Sequence, residues 1–295
     1  MARHMLNYKI LDSGDFEKLE VIGNVTLIRP SLNSPYPKKN PELWKNPDGY
    51  YEKNNTGSGK WYLHKKVKDS FEFKIYDDII IKIKLTPFGH LGIFPEQEIN
   101  WKIIDHLGLK MKGNLEVLNL FAYSGISTLM GLRNGMNLCH VDASKGMVEW
   151  ARENAELSSL GNKKVRWIVE DVLKFLQREV NRGKIYDGVI LDPPSFGRGS
   201  KGEIWKIEND LPTLMELVGK LTNFKPKFII MSCHTTGFSP LILERFLKLY
   251  FKENLDGFYS KELYILEDNN EKLSGGFCSY YFSREFQDCT TFLRD

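Results

Sequence analysis

Two periodicities divide the chain. Up to about residue 95, apolar residues alternate with polar ones. Residues 19–29 alternate around Val21, Ile22, Val25, Leu27 and Ile28, and residues 71–85 set Ile79, Ile81, Ile83 and Leu85 against Lys82 and Lys84. Alternation of this kind predicts half-buried strands, and Asp77-Asp78 suits a turn between two of them. Beyond residue 115, short apolar runs take turns with stretches of helical period. Strands are predicted at 116–121, 138–142, 165–169, 186–191 and 228–232, and helices at 125–134, 145–157, 172–182, 211–223 and 240–251. Such alternation implies a parallel sheet covered on both faces. The tail differs, because 262–266 and 276–282 read as an antiparallel hairpin. At the junction, Pro95 with Glu96 and Glu98 suits the first turn of a helix running to Leu107, where Gly108 would stop it. The expected organisation is a small β-rich domain over 1–95 and an α/β domain over 96–295. Met1 to Met5 reads as a cloning remnant.

Composition adds little to the fold and something to the partner. A net charge of +3 is compatible with nucleic acid without requiring it. Within residues 35–68, however, eight lysines (38, 39, 45, 53, 60, 65, 66 and 68) face three acids, with Tyr36, Trp44, Tyr50, Tyr51, Trp61 and Tyr62 interleaved. Lysines meet phosphates and aromatics offer faces to unpaired bases. The same pattern also fits a solvated loop and an edge strand guarded by lysines. Cys139, Cys233, Cys278 and Cys289 show no metal-ligand spacing, so reduced thiols and no metal site are expected. No apolar run approaches the roughly 20 residues of a membrane helix, and no leader is evident. A cytoplasmic protein is expected; the oligomeric state is not legible.

The candidate chemistry sits at strand ends. Leu191-Asp192-Pro193-Pro194-Ser195-Phe196 follows a buried strand, and two prolines cannot continue it. Asp192 is thereby presented at a carboxyl end, where open α/β sheets bind ligands. The strand at 116–121 ends in a small-residue turn, Ala122-Tyr123-Ser124-Gly125, which lets a ligand approach the backbone and a helix N-terminus. Its spacing is not G-x-G-x-x-G, so a dinucleotide fits poorly. A sulfonium amino acid needs only backbone polar groups and room for a thioether. Asp142, 17 residues after Gly125, ends the next strand and can accept ribose hydroxyls, or cap the following helix. Asp171, after Glu170, can accept an adenine amine or cap its own helix. Together these residues suggest an S-adenosylmethionine site with a target base beside it.

On these residues the chain resembles the class I S-adenosylmethionine-dependent methyltransferases, and more narrowly the bacterial ribosomal RNA large-subunit methyltransferase-like family. The carrying motifs are Val117-Leu118-Asn119-Leu120-Phe121-Ala122-Tyr123-Ser124-Gly125, Val141-Asp142-Ala143-Ser144-Lys145, Trp150-Ala151-Arg152-Glu153-Asn154-Ala155, Glu170-Asp171-Val172, and Asp192-Pro193-Pro194-Ser195-Phe196-Gly197-Arg198-Gly199. The stretch from Lys201 to Leu211 and Gly92-Ile93-Phe94-Pro95-Glu96-Gln97 belong with them. The resemblance implies a Rossmann-like seven-stranded sheet with a reversed last hairpin, bound S-adenosylmethionine, and ribosomal RNA as partner. It implies cofactor contacts from Phe94, Gln97, Asn119, Phe121, Ala122, Tyr123, Ser124, Gly125, Asp142, Ala143, Ser144, Asn154, Glu170, Asp171, Val172, Asp192 and Pro193. Pro194, Phe196, Arg198 and Lys201 would face the substrate, although Arg198 and Lys201, in a Gly-rich loop beside the site, fit a plain flexible loop as well as a phosphate contact.

Two acceptor atoms fit Asp192-Pro193-Pro194. An exocyclic amine would be gripped by the acid and the prolyl carbonyl, with an aromatic stacked on the base; that aromatic comes one residue late here, as Phe196. Carbon 5 of cytosine would need a thiolate, and Cys233 follows a strand beside that of Asp192. Cys233 also fits as a small apolar filler. His234 would point elsewhere if the strand continued. Cys139 and Cys278 read as structural and Cys289 as part of a mobile tail. A protein or small-molecule methyltransferase and a non-catalytic RNA-binding protein share much of the pattern; an NAD-dependent oxidoreductase lacks its glycine fingerprint.

Overall fold

The computed structural model describes residues 7–54, 57–64, 67–112, 115–199 and 202–294. Met1 to Met5, Lys65, Lys66 and Lys201 lie outside them. The chain divides into two compact units, one of residues 1–96 with 263–275, the other of 97–262 with 276–295. The tip of the last hairpin therefore groups with the first unit, a return that local periodicity does not encode.

The first unit holds β1 (Tyr8–Gly14), β2 (Glu17–Ile22), β3 (Val25–Pro30), β4 (Gly49–Lys53) and β5 (Gly59–Leu63) in one sheet, in that order, and a hairpin of β6 (Ser70–Tyr76) and β7 (Ile79–Lys84). The 19–29 stretch makes two strands because Gly23 takes a left-handed turn between them (φ 64°). The alternating Ile79, Ile81 and Ile83 are buried. Glu20 is also buried, held by the Arg29 guanidinium, Lys18 and the Tyr8 hydroxyl. Burial alone would raise its carboxyl, but the cations outweigh burial and bring it down to about 2.

In the second unit come α1 (Glu98–Lys110), β8 (Glu116–Leu120), α2 (Ile126–Arg133), β9 (Asn137–Asp142), α3 (Lys145–Leu157), β10 (Val165–Val169), α4 (Val172–Asn181), β11 (Gly188–Leu191), β12 (Phe196–Arg198), β13 (Ile204–Lys206), α5 (Ile207–Leu221), β14 (Phe228–Cys233) and α6 (Pro240–Tyr250). The closing strands are β15 (Phe258–Leu266) and β16 (Lys272–Phe282). The seven-stranded sheet runs β10-β9-β8-β11-β14-β16-β15. Five strands are parallel, and β16 runs antiparallel to β14 with Phe228 opposite Phe282 and Cys233 opposite Phe277. One face is sealed by Phe175, Leu176, Leu214, Met215, Val218, Leu243 and Leu247 against Leu118, Val141, Val189, Ile229 and Met231. Each such side chain contributes about 1.5–3 kcal/mol on burial, which holds the strand ends in register. Among the described residues no helix is long and apolar enough to cross a membrane.

Three local expectations change. Gly108 does not stop α1; it lies within the helix, where a Cβ would come 2.6 Å from Asn134 Cβ, so it serves close packing against the turn after α2. α5 starts four residues before the expected Leu211, with Asp210 accepting the Lys206 N–H at 2.7 Å and Pro212 inside the helix. The tail around Cys289 is a 3-10 segment, Arg284–Leu293, that buries Phe286, Cys289 and Thr290 and leaves Arg284, Glu285, Asp288 and Thr291 exposed.

Candidate functional site

The strand order reverses direction at the centre of the sheet. From β8 the chain steps outward through β9 to β10, then returns to the other side of β8 as β11 and moves on to β14. The carboxyl ends of β8 and β11 therefore flank a switch point, the place where open parallel sheets leave a crevice. Residues 121–125 and Asp192 sit at those two ends, and the Asp192 N–H donates to Leu120 O at 3.4 Å.

The loop after β8 is held in an uncommon conformation. Phe121 (φ 56°), Tyr123 (φ 51°) and Gly125 (φ 85°) are all left-handed. For the two aromatics this costs about 1–3 kcal/mol each and persists only where the surroundings over-determine it. Those surroundings are visible. The Ala122 N–H donates to Val141 O at 3.1 Å, and the Tyr123 N–H to Asp142 Oδ2 at 3.0 Å. The Asn154 amide donates to Ser124 O at 2.9 Å. Phe121 lies against Trp205 and Tyr123 against Trp150, with ring centroids 4.9 and 5.9 Å apart. A Cβ on Gly125 would stand 2.7 Å from that of Ala151. Asn154 is wholly buried and anchors the loop through that bond.

Asp142 ends β9 and accepts two backbone N–H groups, from Tyr123 on one oxygen and from Ser144, at 2.9 Å, on the other. Burial pushes its carboxyl up from the ordinary range against those two bonds. Ser144 is exposed at the start of α3 and Ala143 half-buried before it. Asp171 caps α4 through Lys174 N at 3.0 Å, using one carboxylate oxygen. Glu170 is engaged on both oxygens by Arg178, and Val172 belongs to the core beneath α4. Asn119 is buried under the loop, donating to Thr128 Oγ1 at 2.9 Å; Thr128 in turn meets His140 Nδ1 at 3.0 Å. Burial lowers His140 to about 3, so the imidazole is neutral.

On the β11 side, Asp192 Oδ1 accepts the Ser232 hydroxyl at 2.8 Å and lies 3.8 Å from His234 Nε2. His234 turns toward Asp192, since β14 ends at Cys233 and the strand's alternation ends with it. Gly276 makes room, since a Cβ there would stand 2.5 Å from His234 Nδ1. Cys233 lies fully buried in the core cluster, its Sγ accepting the Thr235 N–H at 3.4 Å. Burial pushes its thiol up, away from the thiolate a nucleophile requires.

Pro193 is buried, while Pro194 is exposed and its carbonyl accepts the Trp205 indole N–H at 2.6 Å. Ser195 Oγ pairs with Thr235 Oγ1 at 2.8 Å. Arg198, expected on a Gly-rich loop, lies with Phe196 on the β12–β13 hairpin, both exposed, with the Arg198 guanidinium 5.8 Å from the Phe196 ring. In the first unit, Phe94 meets His90 edge-on. Gln97 opens the second unit; its Oε1 accepts from Asn100 at 2.6 Å and its buried Nε2 has no partner among the described residues. Sequence reasoning missed Ser232, Thr235, Trp150 and Trp205 altogether, although Trp150 and Trp205 stand within motifs already singled out.

No family model matches the chain. Over 131 residues, 44% of this chain, it is 30% identical to the ribosomal RNA large subunit methyltransferase K/L of Shewanella frigidimarina, of which the match covers 18%. The protein of the same name from Pseudoalteromonas atlantica is 31% identical over 136 residues, 45% of this chain and 18% of the relative. The matched segment thus spans less than a fifth of these curated relatives. Among solved structures, the S-adenosylmethionine-dependent methyltransferase from Agrobacterium tumefaciens superposes with a TM-score of 0.88 at 28% identity, covering 94% of this chain and 91% of that one.

Proposed function

We propose that this chain, which has the class I methyltransferase fold, transfers a methyl group from S-adenosylmethionine to a base in RNA, with ribosomal RNA as the substrate class. The observation that carries the reading is the switch point itself, where a strained, tightly anchored loop faces Asp192 across the ends of β8 and β11. The donor set fits the cofactor. Asp142 would take the ribose hydroxyls, Asp171 the adenine amine through its second oxygen, and the backbone of residues 121–125 the methionine end, with the buried Gln97 amide a further donor. Bound there, the cofactor supplies an electrophilic methyl on a sulfonium. The protein's work is then alignment of the acceptor with that methyl.

Asp192 would receive the acceptor. Its carboxylate is partly exposed, whereas the Cys233 thiol is buried and raised, which favours an exocyclic amine over cytosine carbon 5. RNA would also engage the first unit. Tyr50 and Tyr62 stack at 4.8 Å on one face of β4–β5, His64 lies 5.6 Å from Tyr50, and Lys60 reaches over Tyr62. Aromatic faces beside a lysine suit unpaired bases and their phosphates. A ribosomal substrate places the reaction in the cytoplasm. The deciding experiment is calorimetric titration with S-adenosylhomocysteine, followed by incorporation of labelled methyl into unmodified large-subunit RNA transcript. Micromolar binding and incorporation are expected; a folded protein that does neither would sink the reading.

A further inference from the structure

We infer that His234 is a catalytic residue, the proton acceptor for the methylated atom, and that Asp192 and His234 receive that atom together as a nitrogen carrying a transferable proton. The inference rests on the methyltransferase reading and deepens it. Asp192 Oδ1 and His234 Nε2 stand 3.8 Å apart, an ion-pair distance and too long for a hydrogen bond. That gap is shorter than twice a normal N–H···O length of about 2.9 Å. A single amino nitrogen therefore fits within hydrogen-bond reach of both atoms. Each side chain is about one third exposed, 34% for Asp192 and 38% for His234, so the pair is reachable and a proton can leave to water.

Their placement is built in. Ser232 donates to Asp192 Oδ1 at 2.8 Å and fixes the carboxylate as an acceptor. His234 stands where a side chain at residue 276 would otherwise reach; Gly276 is left-handed (φ 108°) and offers none. Cys233 is buried beside them and leaves the His234 imidazole as the exposed proton acceptor at this end of β14.

The chemistry balances. The nitrogen's lone pair forms the N–C bond to the methyl while the C–S bond breaks with its electron pair left on sulfur. The nitrogen, now positive, gives its proton to His234 Nε2. Asp192 stabilises the resulting imidazolium, which passes the proton to water.

The test uses the full chain, tritiated S-adenosylmethionine and unmodified large-subunit RNA transcript. His234→Ala is expected to lose about 100-fold or more in kcat with S-adenosylhomocysteine affinity within twofold of the parent. Added imidazole should restore part of that kcat without changing KM, and His234→Gln should resemble His234→Ala. Digestion of the product should give an N-methylated nucleoside. Retained kcat in either variant, absence of imidazole rescue, or a carbon-methylated product would each overturn the assignment while leaving the methyltransferase reading intact. Failure of the parent protein to bind S-adenosylhomocysteine and to label RNA would overturn both.

Discussion

The backbone N–H of Tyr123 donates to Asp142 Oδ2 across 3.0 Å, so the carboxylate ending β9 holds a left-handed residue in the loop after β8. Asp142 is thereby a clamp on that loop as well as the proposed acceptor for the ribose hydroxyls. Asp142→Asn replaces one acceptor oxygen with a donor and leaves either Tyr123 or Ser144 without its partner. The expected result is at least a tenfold loss of S-adenosylhomocysteine affinity and a stability loss of about 1–3 kcal/mol. Calorimetry and urea denaturation measure the two; unchanged affinity would remove Asp142 from the cofactor site.

Glycine at 276 gives a different signature. Gly276→Ala sets a Cβ 2.5 Å from His234 Nδ1 at a φ that alanine adopts only under strain. The imidazole must move off Asp192. Transfer to RNA should fall at least tenfold while S-adenosylhomocysteine binding persists, because the loop after β8 is untouched. Equal loss of binding and transfer would show that the substitution acts through the fold instead.

Much of this arrangement was legible from the chain because it follows from order along it. A strand, a small-residue turn, a helix and a second strand ending in acid place residues 121–125 and Asp142 together on any right-handed parallel sheet. What local patterns hid depends on single residues. β14 ends at Cys233, one residue past the expected Ser232, and the turn there swings His234 onto Asp192. Gly108 resembles a helix stop in sequence and is a packing contact in space. The glycines around residues 197–202 hid a short hairpin pinned by Trp205 to the Pro194 carbonyl.

Acid should loosen the site from below. His140 lies neutral under the loop, lowered to about 3 by burial, whereas an unfolded histidine titrates near 6.5. Between those values the unfolded chain binds a proton that the fold excludes, so stability rises with pH and is lost on acidification from about 6.5. The slope from this one group is up to about 1.4 kcal/mol per pH unit. His140→Gln keeps a polar partner for Thr128 and removes the titration. Its urea midpoint should depend less on pH between 4 and 6.5 than that of the parent; an identical slope would refute the assignment.

Cys233 separates the two acceptor chemistries most directly. Its thiol is buried, packed with Met231, Leu243 and Leu247 in the same core, and pushed up by that burial. A residue so placed contributes through volume, and Cys233→Ala would remove one buried sulfur at a cost of about 1 kcal/mol. Cys233→Ala should therefore keep turnover within a few-fold of the parent and lower Tm by a few degrees. A carbon 5 mechanism demands the opposite: without the thiolate no covalent adduct forms and turnover vanishes, with S-adenosylhomocysteine affinity spared. Labelled-methyl incorporation by this variant, measured beside its melting curve, distinguishes the two, since lost turnover in a protein that still melts cooperatively and binds S-adenosylhomocysteine would return Cys233 to the chemistry.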